Sequence, residues 1–177
     1  LGTPSSPIYP IGILFGNANG NLIPSAPILA KLQPFEIAAG DFNGDGKVDV
    51  ASLPFSFQGE AEIFLNNGAS GFAAGVNVRL IPTDWSGFYP KFLAADLNKD
   101  GKVDLIGVAG PVVIVALSNS SGGNISFGAP SVVNLGGESF LALADLNADG
   151  ASDLLTLNGS LTENLVVYPN NGAGGFG

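Results

Sequence analysis

A nine-residue pattern of oxygen-bearing side chains occurs three times in this sequence. We call the copies loop 1 (residues 41–49), loop 2 (residues 96–104) and loop 3 (residues 145–153). Each places Asp, Asn, Asp and Asp at its first, third, fifth and ninth positions and Gly at its sixth. Ca²⁺ takes about six to eight oxygen ligands, and alternate residues of a tight loop can turn that many inward. The spacing therefore predicts one calcium site in each of the three loops.

The predicted ligands are the side chains at the first, third, fifth and ninth positions and the backbone carbonyl at the seventh. The seventh residue differs among the loops, as expected if it contributes only a carbonyl. Gly at the sixth position permits a sharp turn that a Cβ atom would obstruct. The predicted metal residues are Asp41, Asn43, Asp45, Lys47 and Asp49 in loop 1, Asp96, Asn98, Asp100, Lys102 and Asp104 in loop 2, and Asp145, Asn147, Asp149, Ala151 and Asp153 in loop 3.

Loops of this composition also occur in EF-hands and in ordinary turns. An EF-hand carries a bidentate Glu at its twelfth position, where this chain has Ser52, Gly107 and Thr156. The flanking runs at 35–39 and 48–53 are short and apolar, which indicates strands rather than helices. Clusters of Asp, Asn and Gly also form ordinary turns, but three copies in one register favour calcium. We therefore predict calcium loops that each join two strands.

The composition indicates a turn-rich globular β protein. Hydrophobic residues make up 46% of the chain, charged residues 12%, and Gly occurs 26 times, which is not the profile of a disordered chain. The formal charge is −9, but nine of the ten aspartates lie in the three loops. The acidity is thus mainly a property of the candidate metal sites. The six Lys and Arg residues form no patch suited to phosphates, which disfavours nucleic acid as a partner.

Catalysis has few candidate residues in this sequence. Cys and His are absent, which removes disulfides, thiolate metal sites and imidazole bases. The glutamates are scattered without a pairing suited to acid–base work, and we predict that the protein is not an enzyme. No apolar run approaches the ~20 residues of a membrane helix. Because millimolar calcium outside cells fills weak loops, we predict an extracellular, secreted or cell-surface protein.

A repeat unit of about 50 residues surrounds each loop, a length typical of propeller blades. The predicted order is strand, metal loop, strand, strand, glycine-rich turn and strand, a four-stranded antiparallel meander. The predicted fold is an all-β incomplete ring of about three to four blades. An N-terminal hairpin is predicted with runs at 11–15 and from 22 towards 32. The units are a lead-in with a partial blade at 1–34, blades at 35–81 and 91–134, and a blade lacking its last strand at 138–177.

These motifs together resemble the FG-GAP repeat (integrin α-type, VCBS-like) over roughly residues 11–177. The resemblance rests on the Asp-x-Asn-x-Asp-Gly-x-x-Asp loops, the Asn-Asn-Gly turns and the Phe-Gly-Ala-Pro sequence at 127–130. Departures are Phe-Ala-Ala-Gly at 72–75, Leu-Ile-Pro at 22–24, and Ser152 where the eighth loop residue is usually apolar. The resemblance implies a calcium-stabilised extracellular β-propeller, used for adhesion, for sugar binding in some lectins, or as an appendage to another domain.

Two functions are predicted for such a chain. The first is a binding or adhesion module without catalysis, with a carbohydrate or protein ligand. The alternative is a structural subunit that self-assembles head-to-tail into a ring or filament, because open strand edges and uncovered apolar faces require a partner. The remainder of a longer chain would cover them equally well.

A candidate ligand site lies in the segment 81–90, which holds the only Trp. An aromatic platform beside a carboxylate suits stacking on a sugar ring and hydrogen bonding to its hydroxyls. The competing interpretation is that these rings fill the gap between two blades. The candidate residues are Asp84, Trp85, Phe88 and Tyr89.

Overall fold

The computed structural model describes residues 7–54, 59–80, 91–109, 112–135, 138–158 and 164–177. Within them the chain is almost entirely β-structure, with a short 3₁₀ turn at Gly68–Ser70 and no helix long and apolar enough to cross a membrane. The strands are β1 (Tyr9–Ile11), β2 (Leu14–Gly16), β3 (Leu22–Pro24), β4 (Ile28–Ala30), β5 (Pro34–Gly40), β6 (Asp49–Pro54), β7 (Glu60–Phe64), β8 (Val76–Arg79), β9 (Lys91–Ala95), β10 (Asp104–Ala109), β11 (Val112–Ala116), β12 (Ser131–Asn134), β13 (Glu138–Ala144), β14 (Asp153–Asn158) and β15 (Asn164–Tyr168).

The strands form a series of antiparallel blades. Blade 1 has the order β5-β6-β7-β8, and blade 2 has the order β9-β10-β11-β12. Blade 3 contains β13-β14-β15 in the described residues, and the N-terminal hairpin consists of the pairs β1–β4 and β2–β3. This architecture confirms the predicted all-β fold with blades of four antiparallel strands. The predicted unit boundaries at 1–34, 35–81, 91–134 and 138–177 stay predictions.

The middle strands of blades 1 and 2 are largely buried on both faces. Every residue of β6 and of β11 is buried, whereas most residues of the outer strands β8 and β12 are exposed. A strand covered on both sides has no polar face, which explains why the central runs are almost continuously apolar. The first strands of successive blades, β5, β9 and β13, contact one another, as expected for strands nearest the axis of a propeller.

Three apolar clusters fill the spaces between neighbouring units. The first joins blades 1 and 2 and includes Phe42, Ile63 and Ile114. The second joins blades 2 and 3 and includes Val113 and Leu154. The third joins the N-terminal hairpin to blade 1 through Ile11, Ile28, Ala30, Val50 and Phe64. The core of the protein is therefore a succession of interfaces between sheets.

The N-terminal hairpin forms from the runs predicted at 11–15 and from 22 towards 32, but its ladder is interrupted. Its ladder pairs Ile11 with Ile28 and resumes with Leu14 opposite Pro24. Two residues on one strand thus face three on the other, which is the arrangement of a β-bulge. Prolines at 24 and 27 flank the longer side, and they lack the N–H that a continuous ladder would use. The predicted hairpin is therefore present, and its ladder is interrupted at this point.

Candidate functional site

Each of the three loops connects the first and second strands of its blade. Loop 1 follows β5, loop 2 follows β9 and loop 3 follows β13, and each ends at the first residue of the next strand. The prediction of strands on both sides of each loop is confirmed. The three loops lie at the same corner of three successive blades.

The first aspartate of each loop accepts hydrogen bonds from the loop backbone. In loop 1, Asp41 Oδ1 accepts from the amides of Gly44 at 2.7 Å and Asp45 at 3.1 Å, and Oδ2 accepts from Gly46 at 2.7 Å. In loops 2 and 3, Asp96 and Asp145 accept from the fifth amide at 3.2 Å and from the sixth at 2.9 Å. The first carboxylate therefore holds the loop backbone curled around itself.

The third and fifth side chains continue this winding. The Asn at the third position accepts from the fifth amide at 2.9, 3.2 and 2.8 Å in loops 1, 2 and 3. The Asp at the fifth position accepts from the seventh amide at 2.9, 3.0 and 2.7 Å. Such side-chain to backbone bonds are typical of Asx turns. All three loops thus have the same internal geometry.

Backbone conformation explains the glycine that all three loops share. The sixth residues, Gly46, Gly101 and Gly150, have φ values of 83°, 80° and 85°, in the left-handed region that glycine adopts without steric cost. The predicted role of this glycine is confirmed. The fourth position is left-handed too, but only loop 1 has Gly there. Lys99 and Ala148 have φ values of 62° and 59°, at a cost of about 1 kcal/mol each.

The ninth aspartate of each loop is buried and binds two backbone amides. In loop 1, Asp49 Oδ2 accepts from Phe42 at 3.0 Å and Oδ1 accepts from Asn66 at 2.8 Å. Its relative exposure is 0%, that of Asp104 is 0% and that of Asp153 is 1%. We call this pair of hydrogen bonds the corner bridge, since it fastens the start of the loop to the turn after the third strand.

The corner bridge recurs in the other two blades with the same partners by position. In loop 2, Asp104 accepts from Leu97 at 2.8 Å and from Ser118 at 2.7 Å. In loop 3, Asp153 accepts from Leu146 at 3.1 Å and from Asn170 at 2.9 Å. Sequence reasoning assigned the ninth aspartate to metal binding and missed this bridge. The repeated Asn-Asn-Gly turns were the available signal.

Burial raises the pKa of the Asp49 and Asp104 carboxyls above their ordinary value, although the amide hydrogen bonds of the corner bridge act in the opposite direction. The neighbouring loop carboxylates add to the rise. A bound cation would reverse this effect, since positive charge favours the ionised form of a carboxyl. Burial is thus the main cause of the raised pKa values, and the neighbouring carboxylates contribute less.

Lysine ammonium groups lie against the fifth aspartates. Lys47 Nζ is 2.8 Å from Asp45 Oδ2, and Lys102 Nζ is 3.2 Å from Asp100 Oδ2. The hydrogen bond from the Lys47 side chain is the main cause of a lowered pKa at Asp45. The sequence interpretation gave the seventh residue only a carbonyl role, and it missed these ion pairs.

The residues of each loop fit a hard cation by donor type. Within the described ranges, no group of three or more His, Cys, Asp or Glu side chains is arranged to hold a metal ion. Each loop nevertheless also offers an Asn side chain and backbone carbonyls, so its donors are all oxygen, which suits Ca²⁺ rather than a soft metal. Each oxygen of the ninth aspartate accepts one amide, which leaves it a second lone pair.

The Phe that follows each glycine-rich turn packs between neighbouring units. Phe72, Phe127 and Phe176 each form an isolated β-bridge with the residue at which the corner bridge ends. Each also packs in the apolar cluster that faces the preceding unit. The aromatic ring of the Phe-Gly position therefore links the loop corner to the interface between blades.

Two glutamates outside the loops have partners of their own in the described part of the chain. Glu60 forms an ion pair with Arg79 at 3.1 Å. Glu62 is 3% exposed, and its Oε2 accepts from the Lys31 amide at 3.2 Å. The predicted ligand-site residues Asp84, Trp85, Phe88 and Tyr89 lie outside the described residues. The set of three loops is therefore the candidate site among the described residues.

The part of the chain that contains loops 1 and 2 is similar to a known family of repeats. Residues 41–107 match a family model described as an FG-GAP-like repeat. No curated protein matches the sequence. Among solved structures, the chain is similar to a lectin from Agrocybe aegerita that was studied for its specific recognition of non-reducing terminal N-acetylglucosamine.

The lectin similarity has a TM-score of 0.59 at 24% identity, and it covers 80% of this chain and 36% of the lectin chain. This chain thus spans about a third of that protein, and the likeness supports the fold. The match to the family model begins at the first aspartate of loop 1 and ends in β10. It confirms the resemblance of residues 41–107 to an FG-GAP-type repeat.

Proposed function

We propose that this chain is a non-catalytic binding module of extracellular proteins, with Ca²⁺ held in its three loops. The observation that carries the proposal is the identical geometry of loops 1, 2 and 3 at one corner of successive blades. A bound Ca²⁺ would supply positive charge that offsets the clustered carboxylates. The all-oxygen donor set of each loop supports it.

The residues of each loop have two roles, to present oxygen atoms and to attach the loop to its blade. The first, third and fifth side chains curl the backbone and present oxygen atoms, and the seventh carbonyl is the predicted fourth donor. The ninth aspartate fastens the loop to the turn of the same blade by the corner bridge. A cation that orders the loop would therefore stabilise the whole corner of a blade rather than one exposed turn.

Calcium titration tests this part of the proposal. Isothermal titration calorimetry should detect Ca²⁺ binding at millimolar concentrations or below, and the melting temperature should rise with Ca²⁺ and fall with EGTA. The Asp41→Asn, Asp96→Asn and Asp145→Asn variants should each remove one binding event. Binding that is absent, or melting that EGTA and Ca²⁺ leave unchanged, would contradict the proposal.

A carbohydrate is the ligand class that we propose for the module. The support is the fold shared with a lectin and the aromatic and acidic residues Asp84, Trp85, Phe88 and Tyr89 in the sequence. Immobilised glycans that end in N-acetylglucosamine are the first probe, with galactose-terminated glycans beside them. Trp85→Ala should abolish binding, while Phe15→Ala, at an exposed aromatic residue of the N-terminal hairpin, should leave it intact. Equal binding by the Trp85→Ala variant would exclude this segment.

A second candidate function is head-to-tail assembly, which the outer face of blade 3 favours. Leu157, Leu165 and Val167 are exposed there. By strand register they correspond to Val108, Val113 and Val115, which blade 3 buries on blade 2. A face with this pattern suits another blade, and such a contact between copies is heterologous.

Light scattering tests the assembly candidate. The wild-type chain should have a mass above that of one chain, and the double substitution Leu165→Asp with Val167→Asp should reduce it to one. Val132→Asp, on the exposed outer strand β12, is the matched control and should change nothing. A wild-type chain that is monomeric with and without EGTA would exclude this function.

A further inference from the structure

Lys99, the fourth residue of loop 2, extends to loop 3 of the next blade. Its Nζ donates to the backbone oxygen of Asp149 at 2.7 Å and lies 3.4 Å from Asp149 Oδ1. Asp149 is the fifth residue of loop 3, the position that Lys47 and Lys102 pair with inside loops 1 and 2. All three loops therefore have an ammonium group at the fifth aspartate, but loop 3 receives it from another blade.

The residue composition of loop 3 explains the difference. Its seventh residue is Ala151, which has no charge to offer and is fully buried, whereas the seventh residues of the other loops are partly exposed lysines. The aliphatic stem of Lys99 also lies beside the turn of blade 3 in the way that the stem of Lys47 lies beside the turn of blade 1. Its Cε lies 3.8 Å from where a Cβ on Gly172 would be, and Lys47 Cε lies 3.9 Å from the same point on Gly68. These two glycines are equivalent members of the Asn-Asn-Gly turns.

We infer that Lys99 replaces, from the neighbouring blade, the ammonium group that loop 3 lacks. Loops 2 and 3 are consequently ordered as a pair, while loop 1 is ordered by its own lysine. A second contact points the same way, because Asn170 Nδ2 of blade 3 donates to the Leu97 oxygen of loop 2 at 2.9 Å. The Lys99 contact itself does not require a metal. Its effect on calcium binding rests on the function proposed above.

Substitution at Lys99 separates charge from backbone effects. Ala148 adopts the same left-handed conformation at the equivalent position of loop 3, so Lys99→Ala keeps a backbone that alanine already tolerates in this protein. Lys99→Met retains the apolar stem and removes the ammonium group. Both variants should loosen loop 3 if the ammonium group is responsible. Lys102→Ala is the matched control, since its ion pair lies within loop 2.

Amide hydrogen exchange measured by NMR in EGTA is the decisive experiment. Lys99→Ala and Lys99→Met should accelerate exchange at Gly150 and Ala151 by about three- to tenfold, as expected when a local opening becomes easier. Exchange at the equivalent amides Gly46 and Lys47 should change by less than about twofold, since loop 1 keeps its own ion pair. Lys102→Ala should accelerate loop 2 and not loop 3.

A rescue variant tests whether the source of the lysine matters. In the Lys99→Ala background, Ala151→Lys gives loop 3 a seventh-position lysine like those of loops 1 and 2, in space that the Lys99 stem has vacated. Exchange in loop 3 should return to within about twofold of wild type. Unchanged exchange in Lys99→Ala, equal loosening of loop 1, or failure of Ala151→Lys to restore loop 3 would each overturn the inference.

Calcium titration adds a second readout that distinguishes the two proposals. Removing a positive charge beside a cation site strengthens cation binding, so Lys99→Ala should raise the calcium affinity of loop 3 by about two- to tenfold. A change in calcium affinity at loop 1 but not at loop 3 would contradict the inference. A chain that binds no Ca²⁺ would overturn the proposed function alone, because the exchange experiment in EGTA decides the Lys99 contact by itself.

Discussion

The three blades share one fold, but the contact between blades 1 and 2 and the contact between blades 2 and 3 are made by different residues. Blades 1 and 2 meet at the loop corner through close apolar packing, where the Cα of Gly40 lies against Val103 so tightly that an added Cβ would be 2.6 Å from Val103 Cγ1. Blades 2 and 3 hold Ala95 and Ser152 at the equivalent positions. They add polar links between blades through Lys99 and Asn170.

This difference shows that a repeat fixes the corner of a blade but not the contact between blades. The corner bridge is the same in all three blades, since its aspartate and both amides belong to one repeat unit. At the contact, a small residue before one loop accommodates a branched residue of the next. Where the branched residue is replaced by Ser152, side-chain hydrogen bonds from Lys99 and Asn170 link the two blades instead. A substitution at one contact should therefore leave the other unchanged, whereas a substitution at the corner of blade 2 should affect both.

The largest effect is expected for Asp104→Ala, because blade 2 takes part in both contacts. The substitution leaves the amides of Leu97 and Ser118 without their acceptor. Each buried amide left unsatisfied costs about 1–3 kcal/mol, so the free energy of unfolding should fall by about 3 kcal/mol. Urea denaturation measures it. Asp104→Asn keeps one acceptor oxygen and should lose less; an equal loss in both variants would contradict the role of the corner bridge.

A smaller effect is expected for Gly40→Ala, which should affect the contact of blades 1 and 2. The new methyl group would overlap Val103 Cγ1, and overpacking of this kind costs about 1–3 kcal/mol. In a Val103→Ala background the same substitution should cost less than about 1 kcal/mol, since the obstructing atoms are gone. Gly12→Ala, where a Cβ meets no atom within 4 Å, is the control. Additive effects at positions 40 and 103 would argue against the close packing.

Asn170→Ala tests the contact of blades 2 and 3. The Asn170 side chain donates to the oxygens of Leu97 at 2.9 Å and Ser152 at 3.1 Å, and their loss should lower the free energy of unfolding by about 1–2 kcal/mol. Asn66→Ala is the matched variant, because the Asn66 side chain donates to Val48 within its own blade. Amide exchange should increase in loop 2 for Asn170→Ala only. Faster exchange in loop 2 of the Asn66→Ala variant would contradict the assignment.

The smallest expected effect is a change in stability with pH. Two groups of carboxyls contribute to it in opposite directions. Asp49 and Asp104 have raised pKa values because of burial, so acidification from neutral pH towards 3.8, their ordinary value, protonates the folded state first and increases its stability. Asp45, held low by Lys47, and Asp149, held low chiefly by the Ala151 amide, contribute stability that is present above 3.8 and lost below it.

Stability measured by urea denaturation in EGTA should therefore pass through a shallow maximum at mildly acidic pH. Asp45→Asn should reduce the decline on the acid side, because the ion pair that acid disrupts is already absent. A stability that falls steadily from neutral pH downwards would show that the buried aspartates do not dominate the first limb.

The sequence was sufficient to predict the loops, the strand order and the blades. Period-two and continuous apolar runs are local signals, and the oxygen pattern with Gly at the sixth position specifies one loop conformation. The corner bridge was missed because Asp49 and Asn66 are separated by two strands. The reach of Lys99 was missed for a similar reason, since its partner lies in the next repeat. The bulge in the hairpin depends on prolines whose effect appears only when both strands are paired.

The corner bridge lies wholly within one repeat, and this has a consequence for how such chains lengthen. A gene segment that encodes one blade carries the aspartate and both amide partners together, so a tandem duplication yields a new unit whose corner is complete at once. Lys99 and Asn170 differ from the corner bridge, because each binds a residue of a neighbouring blade. A duplicated blade would therefore have a complete corner wherever it is placed, whereas its contact with the next blade would depend on the residues that this neighbour presents.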